Sequence, residues 1–254
     1  MRIVVKVGTS TLAHPSGLIN IRRVEELCKV MSDLKNAGHD IILVTSGAIG
    51  MGAGKLQLSE RPRDVAAKQA AAAVGQCELM YTYDKLFSEY NHTVAQLLMT
   101  GSDFENEERH INFKNTMDKL LEFKALPIIN ENDTVATEEI KVGDNDTLSA
   151  MVAININADL LILLSDIDGL FTADPHSDPT AKLISVVSEI NDDILALGGG
   201  EGSNLGTGGM RTKLHAAQIC TENNCDMIIA NGEDPDILYD IVEGRAVGTR
   251  FIRR

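Results

Sequence analysis

Short apolar segments alternate with longer amphipathic or alanine-rich segments along this chain. Three of the apolar segments, 2–7, 40–45 and 160–164, consist largely of Ile, Val and Leu. A strand that is apolar on both faces fits a sheet that helices cover on both sides, and such sheets are parallel or mostly parallel. We therefore predict an α/β fold with a mostly parallel sheet, formed as one domain with two lobes.

The other elements are predicted from hydrophobic spacing and from helix start and stop signals. Further strands are predicted at 93–99, 125–130, 227–230 and 246–248. Helices are predicted at 21–36 after the capping residue Asn20, at 63–90 with or without a break near Gly75, and at 112–123, 148–156, 213–223 and 234–242. Alternating polar and apolar residues at 134–142 predict a hairpin.

The composition limits the classes of function. Aromatic residues make up 4% of the chain, so the core must be aliphatic. A net charge of −14 argues against a nucleic-acid partner, and any anion site must be a local concentration of lysines and backbone amides. The cysteines lack zinc-site spacing and no apolar run approaches the roughly 20 residues of a membrane span. We therefore expect a cytoplasmic protein with no membrane partner.

A glycine-dense segment, 198–213, leads into a predicted helix and ends at Lys213. Glycine lets backbone N–H groups approach a ligand, and a helix N-terminus adds partial positive charge, so this pattern is typical of a phosphate cradle. A flexible surface linker is the alternative. The chain contains neither G-x-x-x-x-G-K-[ST] nor a strand-borne G-x-G-x-x-G, so any nucleotide must be bound by another device.

Two more candidate segments lie where predicted strands end, and ligands bind at such ends in sheets of this kind. Lys6 lies in the first apolar strand, two residues before Gly8, and a buried lysine needs an anionic partner. An edge strand with Lys6 in solvent is the alternative. Ser46 begins a turn that can offer a hydroxyl and backbone amides to an anion, or that simply caps the next helix.

Acidic and amide side chains are concentrated at 130–133 (Asn-Glu-Asn-Asp) and at 143–146 (Gly-Asp-Asn-Asp). Like charges repel, so this concentration favours binding of an ammonium group, ordering of lysines or binding of a metal ion. Solvated Asx turns, or helix capping by Asp146, are the alternatives. Ser165 and Asp166 follow the strand 160–164 and either contact a base or ribose or form a simple turn.

In their order along the chain, these motifs resemble those of the amino acid kinase family. They are the runs at 6–10, 45–48, 130–133, 143–146, 165–175 and 206–213, and the matching order continues to the C-terminus. The Gly-Asp-Asn-Asp run and the Gly-Thr-Gly-Gly-Met loop favour the branch that phosphorylates L-glutamate. Many members of that branch carry a further C-terminal, RNA-binding-like PUA domain, which we do not expect here because the sequence stops at Arg254.

The resemblance implies a three-layer α/β/α sandwich and a single kinase domain over 1–254. Its N-terminal lobe would bind the amino acid and its C-terminal lobe ATP. Lys6 and Lys213 match lysines that hold the transferred phosphoryl group, and Asp146 matches the carboxylate that orients them. Substrate-binding positions match Ser46, Asp133 and Asn145. Nucleotide-binding positions match Lys6, Ser165, Asp166, Thr207, Gly208, Gly209, Met210, Arg211, Thr212 and Lys213; no metal ligands are assigned.

The chemistry of that reaction agrees with these residue types. The γ-carboxylate of glutamate, whose pKa in a solvent-exposed side chain is about 4.3, is ionised at neutral pH, so the lack of a histidine in a catalytic context is expected. The reaction needs two anions to be neutralised and aligned, which lysines, backbone amides and Mg²⁺ with ATP would do. A sibling kinase for another carboxylate or a nucleotide, or a noncatalytic sensor, is the alternative. The family also implies proline as a feedback inhibitor and a homo-oligomer (dimer or tetramer).

Overall fold

The described residues form one eight-stranded sheet with helices on both faces. The computed structural model describes residues 1–14, 16, 18–136, 145–175, 177–199 and 209–254. The strands are β1 (Arg2–Val7), β2 (Asp40–Val44), β3 (Val94–Met99), β4 (Leu126–Glu131), β5 (Leu160–Ser165), β6 (Val186–Val187), β7 (Asp226–Asn231) and β8 (Thr249–Phe251).

The helices of these ranges follow the strands in alternation. They are α1 (Thr9–Leu12), α2 (Ile21–Asn36), α3 (Ala48–Lys55), α4 (Val65–Ser88), α5 (Gly101–Glu105), α6 (Glu107–Glu122), α7 (Asn145–Asn155), α8 (Asp192–Ala196), α9 (Met210–Glu222) and α10 (Ile237–Val242). None of the helices in the described ranges combines the length and apolar character needed to cross a bilayer.

The strand order is β3-β4-β2-β1-β5-β7-β8-β6, and the pairs are parallel except for β7 with β8. The chain passes from β1 to the neighbouring β2 and then to the edge strand β3, inserts β4 between β2 and β3, and returns to β5 on the other side of β1. The strand order therefore reverses beside β1, and the carboxyl edge at such a point is where open α/β sheets bind ligands.

Alternate residues of the central strands enter two separate hydrophobic cores, which makes the fold a three-layer α/β/α sandwich. Val5 of β1 joins the core under α2, α4 and α10, whereas Val4 joins the core under α6, α7 and α9. Both cores are built mainly from Ile, Leu, Val, Ala and Met. The prediction of a mostly parallel sheet covered on both faces is therefore confirmed.

Helix α2 begins and ends where its sequence signals predicted. The Asn20 side chain accepts a hydrogen bond from the backbone N–H of Arg23, which satisfies one of the N–H groups left free in the first turn. At the other end, Gly38 has a φ of +97°, a conformation that costs glycine little.

Several predicted boundaries are wrong. The last strand lies at Thr249–Phe251 and not at 246–248, because the chain turns at Gly248 (φ +66°) before pairing with β7. The helix predicted at 112–123 starts earlier, at Glu107, after the Asn106 cap. The short elements α1, α5, β6 and α8 were not predicted. The hairpin predicted at 134–142 lies largely outside the described residues, and 134–136 contain no strand.

Helix α4 runs without a break through Gly75, and this glycine packs against another helix. A Cβ built on Gly75 would lie 1.8 Å from the carbonyl oxygen of Ala48, and one built on Gly52 would lie 1.7 Å from that of Ala71. Helices α3 and α4 therefore cross in direct backbone contact. Only residues without a side chain permit this approach.

We predict that Gly75→Ala destabilises the fold by about 3 kcal/mol or more, because the added methyl group would overlap backbone atoms of α3. The measurement is the free energy of unfolding in urea. Gly50→Ala is the matched control: its Cβ would meet only Thr9 Cγ2, at 3.8 Å, so alanine should be neutral or slightly stabilising in α3. Equal effects of the two substitutions would contradict the packing argument.

Candidate functional site

The candidate site lies at the carboxyl edge of the sheet, on both sides of β1. Strands β2, β1 and β5 are adjacent there, and β4 lies beside β2. Ser46 and Ser165 stand where β2 and β5 end, and Asn130 is the second-to-last residue of β4. Parallel strands bring these positions to one edge although the sequence separates them widely.

Lys6 is buried within the sheet, with only 9% of its surface exposed. Strand β1 pairs with β2 on one side and β5 on the other, so the alternative of an edge-strand lysine is wrong. Because side chains alternate along a strand, Lys6 points to the same face as Val4, toward helices α7 and α9. A buried ammonium on that face needs an anion close by.

Asp146 supplies that anion from the first turn of α7 and is fully buried. Its Oδ1 lies 2.6 Å from Lys6 Nζ, and its Oδ2 lies 3.0 Å from Lys213 Nζ. The carboxylate is therefore bridged by two lysines from different elements. This ion-pair geometry favours the prediction that Asp146 orders lysines over the alternative that it only caps a helix.

Lys213 lies in the first turns of α9, only 5% exposed. The neighbouring Thr212 Oγ1 lies 3.0 Å from Asp146 Oδ2 and 2.8 Å from the carbonyl oxygen of Gly209. Helix α9 packs on α7, so the two helices carry the cation and the anion of this contact. The side chain of Thr212 thus faces Asp146.

The electrostatics of this triad of Lys6, Asp146 and Lys213 leave an excess positive charge. Burial by itself raises the pKa of Asp146, but the two lysine charges and their hydrogen bonds outweigh it and hold that pKa well below its usual value. With Asp146 ionised and both lysines protonated, the group carries one net positive charge out of water. Such a site attracts an anion more strongly than an exposed lysine does.

A second polar group lies beside the triad and includes Ser46 and Asn145. The Asn145 Nδ2 lies 2.6 Å from Ser46 Oγ, 2.9 Å from the Thr45 carbonyl oxygen and 3.1 Å from Asn130 Oδ1. All three atoms are acceptors for its two hydrogens. Ser46 does not cap α3, because Gly47 occupies the N-cap position.

On the other side of β1, the end of β5 faces the end of β7. Ser165 is buried, and its hydroxyl donates to Asp166 Oδ1 at 3.1 Å, while Asp166 is exposed. Asn231 donates to Asp168 Oδ1 at 2.8 Å, and the Gly232 N–H donates to the Ser165 carbonyl oxygen at 2.8 Å. This edge therefore carries exposed carboxylates beside a buried hydroxyl and an amide.

The remaining predicted site residues that the structure describes lie in the turn after β4 and around the start of α9. Asp133 is half-buried in a turn just after β4. Gly209 is the N-cap of α9, Met210 is its half-buried first residue, and Arg211 is exposed. Thr207 and Gly208 lie outside the described residues.

Gln76 also belongs to this site, although no sequence motif pointed to it. Its Oε1 accepts a hydrogen bond of 2.8 Å from Asn130 Nδ2. The available signal was its position in an alanine-rich helix, four residues from Ala72 and three from Leu79, both buried. A glutamine on the buried face of such a helix needs polar partners. Only the folded sheet shows which partners these are.

No group of three or more His, Cys, Asp or Glu side chains suited to a metal ion occurs among the residues that the structure describes. Asp146, the most buried carboxylate of the site, is already neutralised by its two lysines. A Mg²⁺ ion held mainly by the phosphate oxygens of a nucleotide needs few protein ligands, so this donor set is compatible with one that arrives with its nucleotide.

We predict that Asp146→Asn destabilises the protein by about 3–5 kcal/mol near neutral pH, because it leaves two buried ammonium groups without a counter-charge. The effect should depend on pH. A carboxylate with a depressed pKa in the folded state stabilises the fold above its unfolded pKa of about 3.9. That contribution is lost as the pH falls through the folded pKa.

The measurement is urea unfolding of both proteins between about pH 7 and pH 3, and the difference in unfolding free energy should shrink only below about pH 4. Asp240→Asn, which removes a surface partner of Arg245, is the control and should cost less than about 1 kcal/mol. A pH-independent difference would show that Asp146 is not held ionised by the lysines.

Comparison with known proteins agrees with this architecture. The Amino acid kinase family model matches residues 1–231. Glutamate 5-kinase from Clostridium perfringens (strain 13 / Type A) is 52% identical over 100% of this chain and 96% of its own length. Glutamate 5-kinase from Clostridium acetobutylicum is 54% identical over 99% of this chain and 94% of its own length. The one from Caldanaerobacter subterraneus subsp. tengcongensis is 52% identical, and the match covers 68% of it.

Solved structures show the same fold at low sequence identity. The UMP kinase from Bacillus anthracis aligns with a TM-score of 0.67 at 16% identity, over 99% of this chain and 95% of that one. The isopentenyl phosphate kinase from T. acidophilum aligns with a TM-score of 0.65 at 14% identity, over 99% and 100%. These two likenesses concern the fold alone. The family match over most of the sequence and the curated relatives together show that this chain belongs to the amino acid kinase family.

Proposed function

We propose that this chain transfers the γ-phosphoryl group of ATP to the γ-carboxylate of L-glutamate, the glutamate 5-kinase reaction and the first step of proline biosynthesis. The observation that carries the proposal is the buried Lys6–Asp146–Lys213 triad beside the Ser46–Asn145 pair. Relatives that bear this name are more than half identical over nearly the whole chain, which supports the same acceptor.

The reaction needs charge neutralisation more than it needs a base. A γ-carboxylate oxygen attacks the γ-phosphorus of ATP, the new O–P bond forms, and the bond to the β-phosphate oxygen breaks to release ADP. The attacking carboxylate is already ionised at neutral pH, since its ordinary pKa is about 4.3. The obstacle is repulsion between two anions, which buried cations reduce most effectively.

Lys6 and Lys213 are the proposed cations for the transferred phosphoryl group. Asp146 would hold both ammonium groups in position, because it contacts each of them directly. The pairing with one carboxylate leaves one net positive charge for the phosphoryl oxygens. A preorganised charge of this kind costs no rearrangement at the moment of transfer.

The acceptor would bind on the β2 and β4 side, at Ser46, Asp133 and Asn145. Ser46 and Asn145 are in contact at 2.6 Å, and Asp133 lies in the turn after the neighbouring strand. ATP would bind on the β5 and β7 side, at Ser165 and Asp166. The segment Thr207, Gly208, Gly209, Met210, Arg211 and Thr212 would complete the nucleotide site together with Lys6 and Lys213.

In this arrangement the two lobes belong to one kinase domain, the N-terminal lobe for the amino acid and the C-terminal lobe for ATP. Mg²⁺ would enter with ATP and neutralise phosphate charge. Asp166 is an exposed carboxylate at this edge of the sheet. We further propose a cytoplasmic homo-oligomer that proline inhibits.

We expect glutamate-dependent formation of γ-glutamyl hydroxamate when the purified protein is incubated with MgATP, L-glutamate and hydroxylamine. The hydroxamate arises because hydroxylamine traps the acyl phosphate. Lys213→Ala should lower kcat by about 100-fold or more, and Lys6→Ala should abolish the product, since each removes a charge from the phosphoryl site. The measurement is the absorbance of the ferric hydroxamate complex.

Lys119→Ala is the control, because Lys119 is an exposed lysine of α6 paired with Glu122. It should keep wild-type turnover. Near-normal kcat in Lys213→Ala would contradict the role of that lysine. Turnover of aspartate, N-acetylglutamate or UMP with none of glutamate would identify a sibling kinase, and ATP binding without turnover would identify a sensor.

Proline should raise the KM for L-glutamate without lowering kcat, because it shares the amino-acid head group and would compete for the acceptor site. Initial rates at several proline concentrations test this expectation. Unchanged rates at saturating proline and low glutamate would exclude feedback at this site. Lys119→Ala should respond to proline as the wild type does.

A further inference from the structure

Three side-chain amides form a chain of hydrogen bonds beneath the proposed acceptor site; we call it the amide relay. Gln76 of α4 accepts from Asn130 of β4 at 2.8 Å, and Asn130 Oδ1 accepts from Asn145 of α7 at 3.1 Å. Because α4 and α7 cover opposite faces of the sheet, the relay passes around its carboxyl edge. It thereby links the two helix layers at the site.

Two backbone groups identify which side-chain atom of Asn130 and which of Asn145 is the oxygen and which the nitrogen. The N–H of Glu131 donates to Asn130 Oδ1 at 2.9 Å, so that atom must be the oxygen. The carbonyl oxygen of Thr45 accepts from Asn145 Nδ2 at 2.9 Å, so that atom must be the nitrogen. Backbone donors and acceptors cannot exchange roles, whereas a side-chain amide can rotate.

The fixed direction determines what Asn145 and Ser46 present to a ligand. With its nitrogen directed at Thr45 and Ser46, Asn145 presents Oδ1 as an acceptor, and this buried atom has no hydrogen-bond partner among the described residues. Ser46 Oγ accepts from Asn145, which leaves its own O–H to donate. An acceptor and a donor therefore stand side by side, as an ammonium and a carboxylate require.

Gln76 lies at the end of the relay opposite Asn145, and its burial lowers the stability of the fold. It is 8% exposed, and its buried Nε2 has no partner within the part of the chain that the structure describes. A buried amide with one unpaired polar atom is less stable than an apolar side chain of the same shape. If Gln76 served only packing, a methionine or leucine would serve better.

We propose that Gln76 is a positioning residue for the acceptor: through Asn130 it holds the Asn145 amide with its oxygen toward the protonated α-amine of the substrate. The proposal rests on the proposed function of the site. It assigns recognition of the ammonium group to the relay. Substitution of Gln76 should therefore leave the binding of a dicarboxylate that lacks the amine unchanged.

The experiment compares L-glutamate with glutarate, which has both carboxylates but no amine. In Gln76→Met the side chain keeps a similar length and loses the strong acceptor for Asn130 Nδ2. We expect the KM for L-glutamate to rise about tenfold, the loss associated with one hydrogen bond to a charged group. The Ki of glutarate as a competitive inhibitor and the KM for ATP should change less than about threefold.

Two further variants separate positioning from a general loss of stability. Tyr83→Phe removes one buried hydrogen bond, 2.9 Å to Thr45 Oγ1, from the same face of α4 and leaves the relay intact. Its ratio of glutarate Ki to glutamate KM should equal that of the wild type. Gln76→Glu retains an acceptor for Asn130 Nδ2, so it should keep most of the selectivity that Gln76→Met loses.

The outcomes distinguish the two proposals. If the wild type forms no hydroxamate from glutamate, the proposed function fails. If the wild type is active but Gln76→Met keeps the selectivity ratio, or changes it no more than Tyr83→Phe does, the role of Gln76 is wrong. Should Gln76→Met not fold, a loss of selectivity beyond tenfold in Gln76→Glu would equally overturn the proposal, because that variant retains the relay acceptor.

Discussion

A carboxylate that is cut off from water is the constraint on which the site depends. Asp146 is fully buried, and its charge is tolerable only because Lys6 and Lys213 contact its two oxygens. The three side chains come from β1, α7 and α9, so the ion pairs tie the central strand to two helices of one layer. The same contacts create a buried positive charge in a chain whose net charge is −14. Local arrangement thus reverses the overall electrostatics at the place where a phosphoryl group would need it.

The opposite helix layer supports the site through close packing. Gly52 and Gly75 bring α3 and α4 into backbone contact, and Gln76 is the next residue after that contact. Helix α3 begins at Ala48, two residues after Ser46, so the crossing sets the distance between the Ser46 turn and the amide relay. In this way, the packing of α3 against α4 determines the position of polar groups at the edge of the sheet.

The two polar systems divide the proposed chemistry between them. The triad would hold the transferred phosphoryl group, and the relay would orient the head group of the acceptor. Both end at the carboxyl edge beside β1, where the strand order reverses. This placement would bring two anions together without exposing either lysine to bulk water, which is the condition for efficient transfer.

The sequence by itself determined the elements with strong periodic or capping signals. The continuous apolar runs of β1, β2 and β5 and the Asn20 cap of α2 were sufficient, because these signals are local. The motif order was sufficient for the family. It also predicted Lys6, Asp146 and Lys213 as site residues, and the fold brings these three together. Which residues meet was beyond local reasoning: the unbroken passage of α4 through Gly75, the antiparallel pairing of β8 and the contact between Gln76 and Asn130 all depend on partners distant in sequence. Only the tertiary structure decided them, because the atoms that pack against a glycine or a buried amide determine what that residue does, and these atoms come from distant parts of the sequence.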